Sequence, residues 1–529
     1  MSVFQSPGRS IVYSANAMAA TSHPMASRLA LEVLKRGGNA VDAAISAAVL
    51  LGVGEPMMCG LGGDGFGLMR KAGNDKLIAI NGSGKSPAKL DAAMLREQGM
   101  KTIDLGSPHS VSVPGAIDMF DRLLADHGRL GWAECLAPVI ESFEQGVVVS
   151  PRTACDWQAF EHRLQGDARR FFLNGGRAYA EGEAFGAQGQ AEVLRKIAAQ
   201  GRRGFYEGEV AQDMVDSLNA MGAVHSLEDF ATTRADYVEP IMTNYHGHEL
   251  FELPPNGQGA TALLILNILK RFDLAKLPPD GAMRMHLEAE ATKLAYEARD
   301  RFVADPDHST LRLDHLLSEK TADALAALID PDKAIGDVSF ATEAVHKDTI
   351  YLTVVDEQRN AISLIYSIFH PFGSGLASNK FGILFQNRGA GLNLTEGHPN
   401  ELQPRKRPLH TLIPGLLTKP GEYLMPFGVM GGAYQAAGHA RFVTNLVDYG
   451  MSIQQAMDMP RGFADLALDQ LGLESGYTDS VADELRAKGH NVVRPEIGIG
   501  GSQAIRLDLQ SNVLSGASDP RKDGCALGY

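Results

Sequence analysis

Asp348-Thr349-Ile350-Tyr351-Leu352-Thr353-Val354-Val355-Asp356 places a threonine at the head of a β-branched run deep inside the chain. A second apolar run, 360–368, follows after Glu357-Gln358-Arg359. Two such runs joined by a short polar turn predict a β-hairpin, each strand buried on at least one face. The opening threonine also carries chemistry. Its hydroxyl is a poor nucleophile without a base beside it. A freed α-amino group on the same residue supplies one, with a pKa of roughly 7.7–8.0. A tight diglycine, Gly431-Gly432, lies further along. This layout predicts a chain that is cut between Asp348 and Thr349 and then works through its new N-terminus.

Upstream of this stretch the apolar spacing is helical. Helices are expected at 27–36 and 40–53, split by Gly37-Gly38-Asn39, which serves as a C-cap and a restart. A short strand is expected at 77–80, ended by Asn81-Gly82. Further helical patterns fall at 115–127, 133–145, 190–200, 209–221, 258–271 and 283–302. Downstream, strand-like runs occur at 381–386, 411–418, 423–428 and 503–508, with helices at 436–448, 453–458 and 479–489. The segment 330–348 reads as an exposed connector, a suitable place for a cut. A helix-rich first part and a strand-rich second part, with no linker between them, predict one mixed α/β body whose parts interleave.

The 529 residues are 44% apolar, enough for a large core. A net charge of −14 argues against nucleic acid or an anionic membrane as partner. Cys59, Cys135, Cys155 and Cys525 form no CxxC pair and read as idle thiols in a reducing compartment. The N-terminus lacks the charged-then-apolar pattern of a secretion signal. The longest apolar run, 43–53, is about half a membrane span. A soluble, cytoplasmic protein is expected.

Two other chemistries fit poorly. Gly60-Leu61-Gly62-Gly63-Asp64-Gly65 matches the dinucleotide fingerprint, but it follows a helical run and no acid lies within 80–88. Its glycines are expected to permit close packing instead. The sixteen histidines form no HxH or HExxH pattern, so no catalytic metal is expected. A scaffold that kept the fold without activity is the third alternative, and the intact Thr349 argues against it.

Several ordered motifs identify a family. They are Asn39-Ala40-Val41-Asp42-Ala43-Ala44, Gly62-Gly63 with Phe66, Thr349 with Val354-Val355-Asp356, Lys406-Arg407-Pro408-Leu409, Gly431-Gly432, and Gly516-Ala517-Ser518-Asp519-Pro520-Arg521. Over nearly its whole length the chain resembles the gamma-glutamyltranspeptidase family of N-terminal nucleophile hydrolases. The resemblance implies an α/β fold of the four-layer αββα sandwich type. It implies a precursor cut into an α subunit, 1–348, and a β subunit, 349–529, with no cofactor. Thr349 would be the nucleophile, Gly431 and Gly432 would give their N–H groups to the oxyanion, and Ser367 would hydrogen-bond the nucleophile.

The departures from the family pattern shape the expected substrate. Family members that act on glutathione hold the glutamyl carboxylate with an arginine where Ser83 stands. The positions of their amino-group readers carry Gly391 and Phe369, and their paired serines are His410 and Thr411. Arg388, in Gln386-Asn387-Arg388-Gly389, is expected to clamp a carboxylate through its planar fork. Asn387 either lines the pocket or caps a turn. Phe369 would shrink the pocket, and His410 and Thr411 would add short polar contacts. Arg407 is expected in a structural ion pair. A small amide bearing a carboxylate fits this set, and the chain is similar in kind to the family branch that hydrolyses oxamate. Gamma-glutamyl compounds are the alternative.

Overall fold

Strands Ile350–Val355 and Ala361–Ser367 pair antiparallel, with Ile350 opposite Tyr366 and Val355 opposite Ala361, in a computed structural model that describes residues 8–336 and 349–529. Side chains alternate across a strand, so a hairpin buried on both faces must be covered twice. Ile350, Leu352, Val354, Ile362 and Leu364 meet a helical layer that includes Ile45, Val49 and Phe120. Tyr351, Val355 and Ile365 point the other way, onto Leu416, Leu424 and Ile505 of a second sheet.

The sheet flanking Thr349 runs Cys525–Gly528, Met18–Thr21, Ile350–Val355, Ala361–Ser367, Asp64–Arg70, Leu77–Gly82, Asp236–Val238. Opposite lies Val12–Ser14, Leu514–Ser518, Gly501–Asp508, Tyr423–Met430, Gly415–Lys419, His248–Glu252, Ile241–Tyr245, and of these Tyr423–Met430 leads into the diglycine. Helices Gly259–Leu269, Ala282–Phe302 and Tyr434–Val447 cover its outer face. The result is the expected four-layer αββα sandwich. Both sheets take strands from each side of residue 349. No described helix is long and apolar enough to cross a membrane.

Two of the family motifs meet at one helix end. Asn39 and Asp42 form a reciprocal capping box on Ala40–Gly54, a helix whose fifteen residues are all buried. Asp356, at the end of the Thr349 strand, accepts the Ala40 N–H at 3.0 Å. A carboxylate there also favours the positive end of the helix dipole. The near-terminal motif is likewise structural. Asp519 pairs with Arg461, and Arg521 donates to Glu474 at 2.7 Å.

Most expected elements form, with shifted ends. The first helix starts early, at Pro24, because His23 caps it and proline suits its first turn. The run 381–386 is not a strand. It makes only isolated bridges, Leu384 to Ala377 and Phe385 to Gly62, around a turn at Gly382. The Gly60–Gly65 stretch enters a strand, not a helix. A Cβ at Gly63 would lie 2.5 Å from the Ser367 carbonyl, so these glycines do permit close packing. The connector is described only to Gly336. Residues 330–333 are exposed, but Ala334 is buried and donates to the Lys488 carbonyl at 2.8 Å. Asp348 lies outside the described residues. Cys59 and Cys135 are buried, Cys155 is exposed and Cys525 half-buried, all four as free thiols.

Candidate active site

Thr349 directly precedes its strand and is fully buried. The hairpin register sets Ile350 against Tyr366, and the next strand sets Ser367 against Asp64. Thr349, Ser367 and Asp64 therefore sit side by side on the inter-sheet face. The Thr349 hydroxyl donates to Ser367 Oγ at 3.4 Å, and the Phe369 N–H donates to the same oxygen at 2.8 Å. Ser367 thus touches the threonine hydroxyl.

Asp64 was not foreseen as a site residue. Its Oδ1 accepts the Gly84 and Gly115 amides at 3.0 Å and Gln386 Nε2 at 2.9 Å. Burial pushes its carboxyl up to about 6, while Gln386, Arg388 and the two amides pull it down. His410 Nδ1 accepts the Leu412 N–H at 3.3 Å, so its Nε2 carries the proton and faces Asp64 Oδ2 at 3.4 Å. Burial and the Arg388 charge hold that imidazole well below its usual range, and it is neutral. Its edge meets the Phe66 ring with centroids 4.5 Å apart.

Arg388 is fully buried and stands 3.9 Å from the centre of the Phe369 ring. Its Nη1 donates to Thr411 Oγ1 at 3.1 Å. Its Nε and Nη2 meet no acceptor among the described residues. Burial lowers the guanidinium to about 9, against the pull of Asp64, so it stays charged at neutral pH. Phe369 presents its ring from a backbone φ of +83°, a conformation that costs a non-glycine residue about 1–3 kcal/mol. Such strain persists only where the surroundings enforce it.

Asn387 precedes the turn Arg388–Gly391 but makes no side-chain cap to it. Its amide donates to the Leu105 carbonyl at 3.1 Å and accepts the His370 N–H at 3.2 Å, bracing two loops. Arg407 forms the expected ion pair, with Asp236 at 2.5 Å, and also donates to the Ser83 carbonyl at 3.1 Å.

Gly431 and Gly432 follow the strand Tyr423–Met430, at φ of +123° and +55°. Neither N–H has a backbone acceptor among the described residues. A buried glutamine, also unforeseen, ties this turn to the Arg388 wall. Gln258 donates to the carbonyls of Gly432 and Thr411 at 3.0 and 2.9 Å and is itself held by Arg299 at 3.1 Å. The Gly432 carbonyl fixed in this way shares its peptide plane with the Ala433 N–H, so Gln258 holds the chain just past the diglycine. Asp64 and Gln258 belong to no local motif beyond the glycine run. Their only trace in the chain is a polar residue beside a stretch that must be buried.

The family pattern for gamma-glutamyltranspeptidase matches residues 26–529. The "Glutathione hydrolase-like YwrD proenzyme" of Bacillus subtilis is 34% identical, over 97% of this chain and 98% of its own. The "Oxamate amidohydrolase proenzyme" of Klebsiella pneumoniae is 33% identical, over 98% and 99%. The crystal structure of a cephalosporin acylase from Bacillus halodurans superposes with a TM-score of 0.89 at 35% identity, covering all of this chain and 98% of that one. The chain belongs to the gamma-glutamyltranspeptidase family and is an autoprocessed amide hydrolase of the N-terminal nucleophile type.

Proposed function

We propose that the protein hydrolyses a small amide carrying a carboxylate, with oxamate giving oxalate and ammonia as the leading candidate. The observation that carries this reading is Arg388, whose two unengaged N–H groups form one edge of a fork inside the protein. An unmet buried charge of this kind is costly, and a substrate carboxylate would satisfy it bidentately. Phe369 covers one face of the guanidinium and Thr411 engages its third nitrogen, an arrangement that suits a short acyl group. A relative named for oxamate supports the choice, and relatives named for glutathione support the gamma-glutamyl alternative.

In this reading the precursor is cut before Thr349, leaving 1–348 and 349–529 as the two subunits. The Thr349 α-amine takes the hydroxyl proton as Oγ1 bonds to the amide carbon. The Gly431 and Gly432 N–H groups hold the oxyanion, each worth on the order of 3 kcal/mol. The intermediate collapses as the amine returns the proton to the leaving nitrogen, and ammonia departs. Water, activated by the same amine, then clears the ester. Ser367 holds the threonine oxygen in line throughout. Asp64 supports the charge of Arg388, and the neutral His410 donates toward Asp64.

Ammonia release from oxamate, measured beside amine release from a gamma-glutamyl anilide, tests the reading. Turnover of oxamate at least tenfold above the anilide is expected. Turnover of the anilide alone would replace this substrate with the alternative.

A further inference from the structure

Outside the sandwich interior, three donor side chains converge in the layer where the helix Ala282–Phe302 packs on Asp479–Ala487. His286 and Glu290 lie one turn apart on the first helix, and His490 follows the second. All three are buried, and one donor atom of each lies within 4.8 Å of the others. His286 Nε2 donates to the Asp330 carbonyl at 2.8 Å, which leaves Nδ1 bare. His490 Nε2 stands 2.8 Å from that nitrogen and 3.9 Å from Glu290 Oε1. The other carboxylate oxygen, Oε2, accepts the Ile335 N–H at 2.6 Å. Two imidazoles and an oriented carboxylate form the donor set of zinc-class cations, and the Asp330 and Ile335 hydrogen bonds are the outer contacts that hold such ligands in place.

We propose that His286 Nδ1, His490 Nε2 and Glu290 Oε1 bind one divalent first-row cation of the zinc class, with water as the fourth ligand. Tetrahedral bonds of about 2.0–2.1 Å separate donors by about 3.3 Å, so the 2.8 Å contact opens and the 3.9 Å contact closes by roughly half an ångström each. Both rings are neutral at pH 7, since burial lowers both imidazoles, that of His490 to about 3. The proton on His490 Nε2 moves to Nδ1 of the same ring or to solvent as the metal bond forms. Lys293 Nζ, 2.9 Å from Glu290 Oε1 and 3.1 Å from the Ile335 carbonyl, is the competing cation. It turns toward a cavity of about 130 Å³ that opens beside His490 and Asn491 and gives the ion its entry. His286, Glu290 and the outer contacts precede residue 349, and His490 follows it. If the chain is cut as proposed above, the ion joins the two pieces.

Cobalt(II) added to chelator-stripped, full-length purified protein tests the site without reference to activity. One equivalent should bind with tetrahedral visible absorption, be displaced by zinc, and raise the thermal midpoint. His286→Gln and His490→Gln should each weaken cobalt at least tenfold, and Lys293→Gln should strengthen it. Thr349→Ala protein should bind cobalt as the wild type does, which separates the site from the processing reading. Wild-type protein that shows no tetrahedral cobalt spectrum overturns the proposal. So does a spectrum that both histidine variants leave unchanged.

Discussion

Arg388 and Arg407 are both buried arginines beside the inter-sheet space, and they are satisfied very differently. Arg407 gives its donors to Asp236, the Ser83 carbonyl and the Arg234 carbonyl. Arg388 has Thr411 on one nitrogen and nothing on two others among the described residues. Folding explains the first arginine completely. The second makes physical sense as half of an interaction whose other half arrives from outside. Burial alone therefore does not mark a binding group, whereas burial with an unmet charge does.

The largest effect should come from Thr349→Ala. On the proposed mechanism it leaves one full-length band on a denaturing gel and lowers activity at least 10³-fold. A variant that is still cut and active would remove the context in which Arg388 reads as a substrate group. Next, the same change at both arginines sharpens the contrast. Arg388→Met should raise KM for a carboxylate substrate roughly 10–100-fold, about 1.5–3 kcal/mol, with stability within about 1 kcal/mol of wild type. Arg407→Met should do the reverse, costing about 2–4 kcal/mol of stability in urea unfolding, because it strands the carbonyls and carboxylate it now serves. Equal behaviour of the two variants would break the comparison.

A smaller effect concerns the acid beside Arg388. Burial raises Asp64 to about 6 and Glu55 to about 7. Each folded carboxyl keeps a proton that the unfolded chain gives up near pH 4, so its own contribution to stability falls as pH rises from about 4 to about 7. His23, His225 and His490, lowered by burial to about 4, 4 and 3, contribute in the opposite sense over the same window. The Asp64 share is on the order of 3 kcal/mol, so between about pH 4 and 6 the stability of Asp64→Asn should change with pH by that much more in the rising direction than the wild type's. An unchanged slope in urea titrations across that range would show that Asp64 ionises normally.

The hairpin that carries Thr349 was legible because β-branched residues fill both faces of both strands, and the longer helices because their apolar spacing is regular. Met18–Thr21, Asp64–Arg70, Leu514–Ser518 and Cys525–Gly528 were not. Their alanines, glycines and serines have low strand propensity. They are strands because partners on either side and layers above and below leave no other place for their backbone polar groups. The apolar run at 381–386 misled for the opposite reason: its composition suits a strand, but Gly382 turns it. Within the site, Thr349, Ser367, Arg388 and the diglycine sit in motifs that can be read locally. Asp64 reaches Ser367 only through sheet register, and Gln258 reaches Gly432 only through a helix start brought in from another layer.

The strand order of the two sheets has a further consequence. If the backbone is severed at 349, neither product owns a complete sheet: each would expose raw strand edges at several places. The halves are woven, like threads of one cloth, and should not mature from separate genes. A fully denatured, already-cut protein has then lost the tether that first threaded it, and its recovery on dilution should be poor where the uncut Thr349→Ala chain renatures.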